Sequence, residues 1–299
     1  MVNFYADHHF VISDTHLTAG KPCQDYALSS VDTGAAFAII SDGCSTGGHT
    51  DVGSRIIALS NLNALREYWL RGNKSLSELI SQEVSVHQRI KLSAIREILG
   101  LKNEDMYATS LYAYVISEGG IIHLQGDGVI VLQYQNGDIV ASRFDWANNA
   151  PFYPAYAGQS LIDFIALQGK NLDGLQLKEE KWQRTNSEWQ PITILCHNLR
   201  QGMQGITSVI TKEMLDNRIA FIGIFSDGIC QIEGKDWKDA ITDLMSFKNT
   251  TGEFVKRRIN SAVRQYKNEG KRLNDDLSMA VIRIEHKTKE VEPDGAITG

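Results

Sequence analysis

No two of the four cysteines are close enough to form a C-x-x-C pair, which excludes a zinc ribbon and leaves no spacing that reads as a disulfide framework. Cys23, Cys44, Cys196 and Cys230 therefore read as reduced thiols. A basic patch is also lacking: acidic and basic residues are interleaved and the net charge is −6, so nucleic acid is not an expected partner and there is no polybasic arm for a membrane surface. No apolar run approaches the ~20 residues that a spanning helix requires. The opening residues, MVNFYADHHF, lack the basic-then-apolar order of a secretory signal, and the expected location is cytoplasmic. Proline is scarce, at five residues, and the apolar content of 42% is that of an ordinary globular chain.

What the sequence does contain is a recurring ending. Three apolar, strand-like runs finish in a small residue, Asp and Gly: Ala36 to Ile40 into Ser41-Asp42-Gly43, Ile121 to Gln125 into Gly126-Asp127-Gly128, and Phe221 to Phe225 into Ser226-Asp227-Gly228. Strands of this composition are expected to be buried, and an Asp at the tip stands where the chain leaves the sheet, so several tips can converge on one edge. Carboxylates and backbone carbonyls are the ligands that hard divalent cations such as Mg2+ and Mn2+ prefer. The tips lie too far apart and too irregularly for a solenoid or propeller repeat.

Periodicity predicts strands over 9–13 and 25–41, the latter broken by a turn at Asp32-Thr33-Gly34, then a helix pair over 51–70 and 75–99. Ile56, Ile57, Leu59, Leu62 and Leu65 mark the first helix, and Ser75 with Glu78 suggests a capping box for the second. Four strands over 107–117, 121–126, 129–135 and 138–144 read as one meander, with Asn136-Gly137 as a hairpin turn. Periodicity breaks down over 145–218, where only a short helix near 159–168 and a strand near 191–196 are expected. Helices near 235–247 and 252–268 and a closing strand over 276–284 follow. Antiparallel runs separated by paired helices predict an α+β layered fold, read as a single domain over 1–286 with a loose tail over 287–299.

Cys23-Gln24-Asp25, Ser41-Asp42-Gly43, Thr109 ahead of Gly126-Asp127-Gly128, Ser226-Asp227-Gly228 and Asn274-Asp275-Asp276-Leu277-Ser278 occur in the order found in metal-dependent type 2C protein serine/threonine phosphatases. The chain resembles that family over about residues 10–285, and most closely a bacterial branch in which a His and a Lys precede the first acidic motif, as His16 and Lys21 do. The resemblance implies a four-layer α-β-β-α sandwich, two antiparallel sheets flanked by helix pairs, with a variable flap-like segment at 145–218. It also implies two Mn2+ or Mg2+ ions and a third, weaker metal site. Asp42 would bridge the two ions, the Gly43 carbonyl would serve one of them, Asp227 and Asp275 would complete the other, and Asp127 would contribute to the third. Asp25 would hold metal-bound water as a catalytic residue. Two cations would acidify a bridging water for in-line attack on phosphoserine or phosphothreonine in a protein substrate, and a cognate serine/threonine kinase would be the partner enzyme.

The chain departs from the family pattern at several places. Gln24 replaces a Glu, Cys44 replaces the His that serves as proton donor, and Gly128 stands for a Ser. No Arg for substrate phosphate precedes the first motif, and no Asp-His pair follows the central strands. His49 is the candidate substitute proton donor, His16 and Lys21 are the candidate phosphate-binding residues, and Gln24 could hydrogen-bond metal-bound water. The losses at Gln24 and Cys44 define a rival reading: a fold of this type that binds a phosphopeptide or partner without turnover. Val11 to His16 also resembles the opening motif of calcineurin-like metallophosphoesterases. That family's Gly-Asn-His element is missing, however, and its Gly-His element would stand too early, at Gly48-His49. Asp7-His8-His9 resembles the motif of DHH phosphoesterases and has no supporting motif downstream.

Overall fold

The strand Ala35–Ser41 is buried at every position, so it must be covered on both faces. Its alternation separates two sets of contacts: Ala36, Ala38 and Ile40 face one hydrophobic cluster, while Ala35, Phe37 and Ile39 face another. That requirement gives the architecture. The computed structural model describes residues 2–72, 76, 79–157, 161–168 and 175–286. Its strands are β1 (Val2–Val11), β2 (Tyr26–Asp32), β3 (Ala35–Ser41), β4 (Ser110–Ile116), β5 (Gly119–Gln125), β6 (Gly128–Tyr134), β7 (Ile139–Trp146), β8 (Leu177–Thr185), β9 (Glu188–His197), β10 (Ile206–Ile210), β11 (Ile219–Phe225) and β12 (Leu277–His286). Its helices are α1 (Asp14–Ala19), α2 (Thr50–Leu70), α3 (Leu79–Leu99), α4 (Leu161–Gln168), α5 (Leu199–Gln204), α6 (Lys212–Asp216), α7 (Trp237–Leu244) and α8 (Phe254–Asn268).

The strands form a seven-stranded sheet in the order β1-β12-β11-β6-β7-β8-β9 and a five-stranded sheet in the order β10-β5-β4-β3-β2, both antiparallel. Between them lies the central cluster, where Ala38, Ile40, Leu111 and Ala113 meet Ile222, Ile224, Ala280 and Ile282. Outside the five-stranded sheet, Phe37, Ile39, Tyr112 and Tyr114 pack on Ala58, Leu62, Leu65 and Val84 of α2 and α3. Outside the seven-stranded sheet, Val131, Phe225, Met279 and Val281 pack on Ile241, Leu244, Val255 and Ile259 of α7 and α8. The result is the four-layer α-β-β-α sandwich. No helix among the described residues is long and apolar enough to cross a membrane.

Several local expectations change. The four strands read as one meander are two hairpins in different sheets: β4 and β5 belong to the five-stranded sheet, β6 and β7 to the seven-stranded one. Gly126 (φ 106°) and Gly128 (φ 143°) give the chain the backbone freedom to cross between layers at Asp127. The strand expected over 9–13 begins at Val2 and ends at Val11, because the Ser13 hydroxyl accepts the His16 N–H and caps α1. Leu59, counted with the apolar face of α2, is 46% exposed. The proposed cap at Ser75 and Glu78 and the tail over 287–299 lie outside the described residues. The segment 145–218, expected as a flap, is woven into the sandwich: β8 pairs with β7, β10 edges the other sheet, and Phe152, Tyr156, Phe164 and Leu177 join the central cluster. Its outermost part, β9, is largely exposed.

The tip of β11 meets the start of β12 without room for another atom. A Cβ on Gly228 would collide with the Asp276 carbonyl. Gly228→Ala is therefore expected to cost about 1–3 kcal/mol or more, the range for overpacking a close contact. The check is a urea denaturation midpoint, and a midpoint equal to that of the unaltered protein would contradict this packing.

Candidate active site

Sheet register brings the carboxylates to one end of the sandwich. In the β2–β3 ladder Tyr26 faces Ser41, so Asp25 and Asp42, the next residue out on each strand, leave the hairpin together. Phe225 faces both Val129 and Met279, and continuing those ladders two residues sets Asp227 opposite Asp127 and beside the start of β12, next to Asp275. Five separate stretches of chain thus deliver Asp25, Asp42, Asp127, Asp227 and Asp275 to one edge, as a period-2 pattern ending at the same sheet level requires.

Backbone bonds fix the tips. The Asp42 N–H donates to Thr109 Oγ1 at 2.9 Å, the Thr109 N–H returns a bond to the Asp42 carbonyl at 2.8 Å, and the Ser41 hydroxyl donates to the Thr109 carbonyl at 2.5 Å. Gly43 bridges to Ala108, and its N–H donates to the Gln24 carbonyl at 3.2 Å. On the other sheet, Gln231 Nε2 donates to Asp227 Oδ2 at 2.8 Å and to Asp275 Oδ2 at 3.0 Å, clamping these two carboxylates together.

At Asp25, Asp42, Asp127 and Asp275, burial and mutual repulsion outweigh the contributions that favour the charged forms. Burial pushes the Asp25 carboxyl up to about 8, and Asp276 and Asp275 add to the rise. The hydroxyls of Ser226 and Ser278 face Asp25 without reaching hydrogen-bond geometry, so both of its buried oxygens lack a donor. Burial and then Asp25, Asp227 and Asp275 hold Asp42 well above the usual carboxylate range. Asp127 is raised by burial, then by Asp227 and Asp145, and Asp275 rises to about 6 through burial and then Asp227. A cluster of oxygen donors, two of them buried without partners, is the environment that a divalent cation would relieve and that protein groups alone leave unbalanced.

The other expected residues fall in different places. Asp276 is structural: its Oδ1 accepts the Ser13 N–H at 2.7 Å and its Oδ2 the Gln24 N–H at 2.6 Å. His16, expected at the substrate phosphate, is instead buried, with Nδ1 2.9 Å from Asp276 Oδ2, because α1 folds back against the start of β12. Gln24, expected near metal-bound water, turns its amide to Thr50 Oγ1 at 2.7 Å. Lys21 is exposed, and its Nζ donates to the Ser45 carbonyl at 3.1 Å, over the loop that follows Gly43. His49 is exposed at the start of α2, where its N–H donates to Asp105 Oδ1 at 2.7 Å and its ring interacts with the same carboxylate.

Three residues at this edge escaped sequence reasoning. Gln231 follows Asp227 by four positions, within one helical turn, a spacing that could have marked it. Arg143 pairs with Asp145 at 2.6 Å, and both line a cavity of about 240 Å³ together with Asp227 and Gln231; two residues apart on a strand, they share one face. Tyr153 is buried beside Cys44, Asp127 and Asp42, and burial and then Asp127 hold its phenol well above the ordinary range. Its ring stacks on Tyr107 at 5.9 Å, and nothing in the local sequence pointed to it.

Residues 12–264 match the family model described as protein phosphatase 2C. Among solved structures, serine/threonine phosphatase Stp1 from Staphylococcus aureus is 11% identical, with 95% of this chain and 96% of that one covered and a TM-score of 0.53. A bacterial serine phosphatase carrying a point substitution is 10% identical, with 96% and 100% covered and a TM-score of 0.53. PppA, a key regulatory component of T6SS in Pseudomonas aeruginosa, is 11% identical, with 94% and 98% covered and a TM-score of 0.51. At these identities the likeness is one of fold. No curated protein matches the chain.

The raised carboxyls give the metal-free protein a definite pH dependence. An unfolded Asp titrates near about 3.9, whereas Asp275 and Asp25 sit at about 6 and about 8 when folded, so the folded state binds more protons between those limits. Stability in EDTA should therefore fall as pH rises from about 4 to about 8. Thermal unfolding at a series of pH values checks this. Asp25→Asn should flatten the upper part of the decline, and a stability that rises over the same window would contradict the electrostatic account.

Proposed function

Because the chain belongs to the protein phosphatase 2C family, we propose that it hydrolyses phosphoserine and phosphothreonine in proteins, using two Mn2+ or Mg2+ ions. One observation carries this reading: Asp25, Asp42, Asp227 and Asp275 converge from distant stretches of chain while the buried oxygens of Asp25 lack any donor. Asp42 and the Gly43 carbonyl would hold the ions from the five-stranded sheet, and Asp227 and Asp275 from the seven-stranded one. Asp127 is the proposed ligand for a third ion. When bound, the ions lower the pKa of water and neutralise phosphate oxygens, so no nucleophilic side chain is needed.

The protein's own residues orient and move protons. Gln231 holds Asp227 and Asp275 side by side, because one amide nitrogen serves both carboxylates, and so would orient them as joint ligands of one ion. Asp25, deep behind Asp42, is the assigned acceptor for the proton of the attacking water. Lys21, between α1 and β2 with its Nζ reaching the Ser45 carbonyl on the loop that follows Gly43, is the assigned cation for substrate phosphate. His49 is assigned as proton donor to the departing serine or threonine oxygen, and Asp105, which accepts the His49 backbone N–H, anchors the backbone from which the imidazole projects. His16 is reassigned from phosphate contact to bracing Asp276 and, through the neighbouring residue, Asp275.

The rival reading, a phosphopeptide-binding module without turnover, is favoured by one observation: the Gln24 amide nitrogen donates to Thr50 Oγ1 and not to the carboxylate edge, while its Oε1 is buried without a partner. Turnover separates the two. With Mn2+ the protein is expected to hydrolyse p-nitrophenyl phosphate, and Asp42→Ala and Asp227→Ala should each abolish that activity. Absence of hydrolysis with either metal would favour the binding module.

The leaving group provides a finer test. p-Nitrophenolate departs without protonation, whereas a serine alkoxide does not, and general acid catalysis is worth roughly 10²–10⁴-fold. His49→Ala should therefore lower kcat on a phosphoserine peptide by about 10²-fold or more and leave p-nitrophenyl phosphate hydrolysis nearly unchanged. Equal losses on both substrates would remove His49 from that role.

A further inference from the structure

Away from the carboxylate edge, two adjoining cavities of about 510 and 680 Å³ share Arg89, Pro154 and Ala157 and form one groove between α3 and the segment leading into α4 and α5. Their described lining includes three arginines, Arg89, Arg96 and Arg200, and no Asp or Glu, on a chain whose net charge is −6. Arg89 and Arg200 are exposed and make no hydrogen bond or ion pair among the described residues, and Arg96 is engaged by the neutral Asn103 at 2.9 Å. Arginines without a carboxylate partner among the described residues also occur singly elsewhere, as at Arg55 and Arg184, whereas here three line one trough. Three guanidinium groups without anionic partners facing one trough form a complementary surface for an anionic chain. Leu92, Met106, Phe152 and Met203 supply apolar floor and wall.

The groove also leads to the proposed catalytic edge. Met106 lines it, and Thr109, three residues on, holds Asp42, a span of at most about 11 Å of extended chain. On the facing wall Pro154 precedes Tyr156, whose ring meets Tyr107 at 4.6 Å, and the Tyr107 carbonyl accepts the Cys44 N–H at 2.9 Å.

We propose that this groove docks an acidic, extended segment of the phosphoprotein substrate, lying a few residues, on the order of three, from the phosphorylated side chain. The proposal rests on the phosphatase reading for its substrate, but the docking contact is independent of catalysis. A short trough on a chain of net charge −6 suits a short acidic peptide better than nucleic acid, whose long phosphate backbone would extend past the three arginines onto a molecule of net negative charge.

The test uses the full chain and two phosphoserine peptides that differ only in a run of Glu or Gln beginning four residues from the phosphoserine. Exposed ion pairs contribute modestly, so engaging three arginines should lower KM for the Glu peptide by about five- to tenfold at low salt, with kcat unchanged. The doubly charge-reversed variant Arg89→Glu/Arg200→Glu should erase that preference and leave p-nitrophenyl phosphate hydrolysis intact; neither residue is buried, so folding should be preserved. In parallel, fluorescence anisotropy of the labelled Glu peptide in EDTA reads docking without turnover, and its affinity should fall with added salt. A preference that survives charge reversal, or tighter binding of a single-stranded oligonucleotide than of the Glu peptide, would overturn the proposal. Salt-sensitive binding that charge reversal abolishes, with no hydrolysis of any substrate, would uphold the groove and defeat the phosphatase reading.

Discussion

Repulsion among carboxylates at one end of the sandwich is the constraint that the rest of the fold contains. Asp25, Asp42, Asp127 and Asp275 are all held above the usual carboxylate range, in each case by burial first and by neighbouring anions second. A flexible loop would relax away from such a field. Here Asp42, Asp127 and Asp275 hang from strands that are themselves buried, and Asp25 from a strand paired along its length to buried β3, so the central packing of Ile40, Ile224 and Ala280 holds in place what electrostatics would disperse. Asp276 completes the arrangement, because it ties the start of β12 to Ser13 and Gln24 and leaves its neighbour Asp275 to face the cluster.

The two sheets contribute unequally to that edge. The five-stranded sheet offers Asp25, Asp42 and Gly43 from a hairpin whose bonds to Thr109 leave little freedom. The seven-stranded sheet offers Asp227 and Asp275, drawn together by Gln231. Asp127, on the crossing between sheets, couples the two halves. Cations bound between them would join layers that otherwise meet mainly through apolar side chains, with polar ties at Asp276–Gln24 and His8–Ser29, which ties ligand binding to the stability of the sandwich.

Much of this was legible in the sequence, for physical reasons. An apolar run ending in Asp-Gly states both that the strand is buried and where it stops, and so Asp42, Asp127 and Asp227 could be placed before any coordinates were known. Asp275 and Asp25 followed from the resemblance to the type 2C phosphatases, whose motifs occur in the same order along this chain. The misreadings share a cause: each depended on which sheet or side chain a residue meets, which one-dimensional periodicity does not encode. The 107–144 region has uniform strand period, so nothing in it announces that the chain changes sheets at Asp127. His16 reads as an available imidazole until α1 folds it onto Asp276. Within 145–218, β8 and β10 carry no clean alternation because β8 is half exposed along most of its length and β10 is a short edge strand. Gln231, Arg143 and Tyr153 became visible only through their neighbours.

The account stands most directly on where divalent ions bind. A crystal structure of the protein soaked in Mn2+, with anomalous scattering recorded at the manganese edge, would locate them. The account predicts two peaks bridged by Asp42, one of them shared with Asp227 and Asp275. Peaks confined to His16, Asp275 and Asp276, the donor trio whose ligand atoms lie within 4.8 Å of one another, or no peak at Asp42, would contradict it.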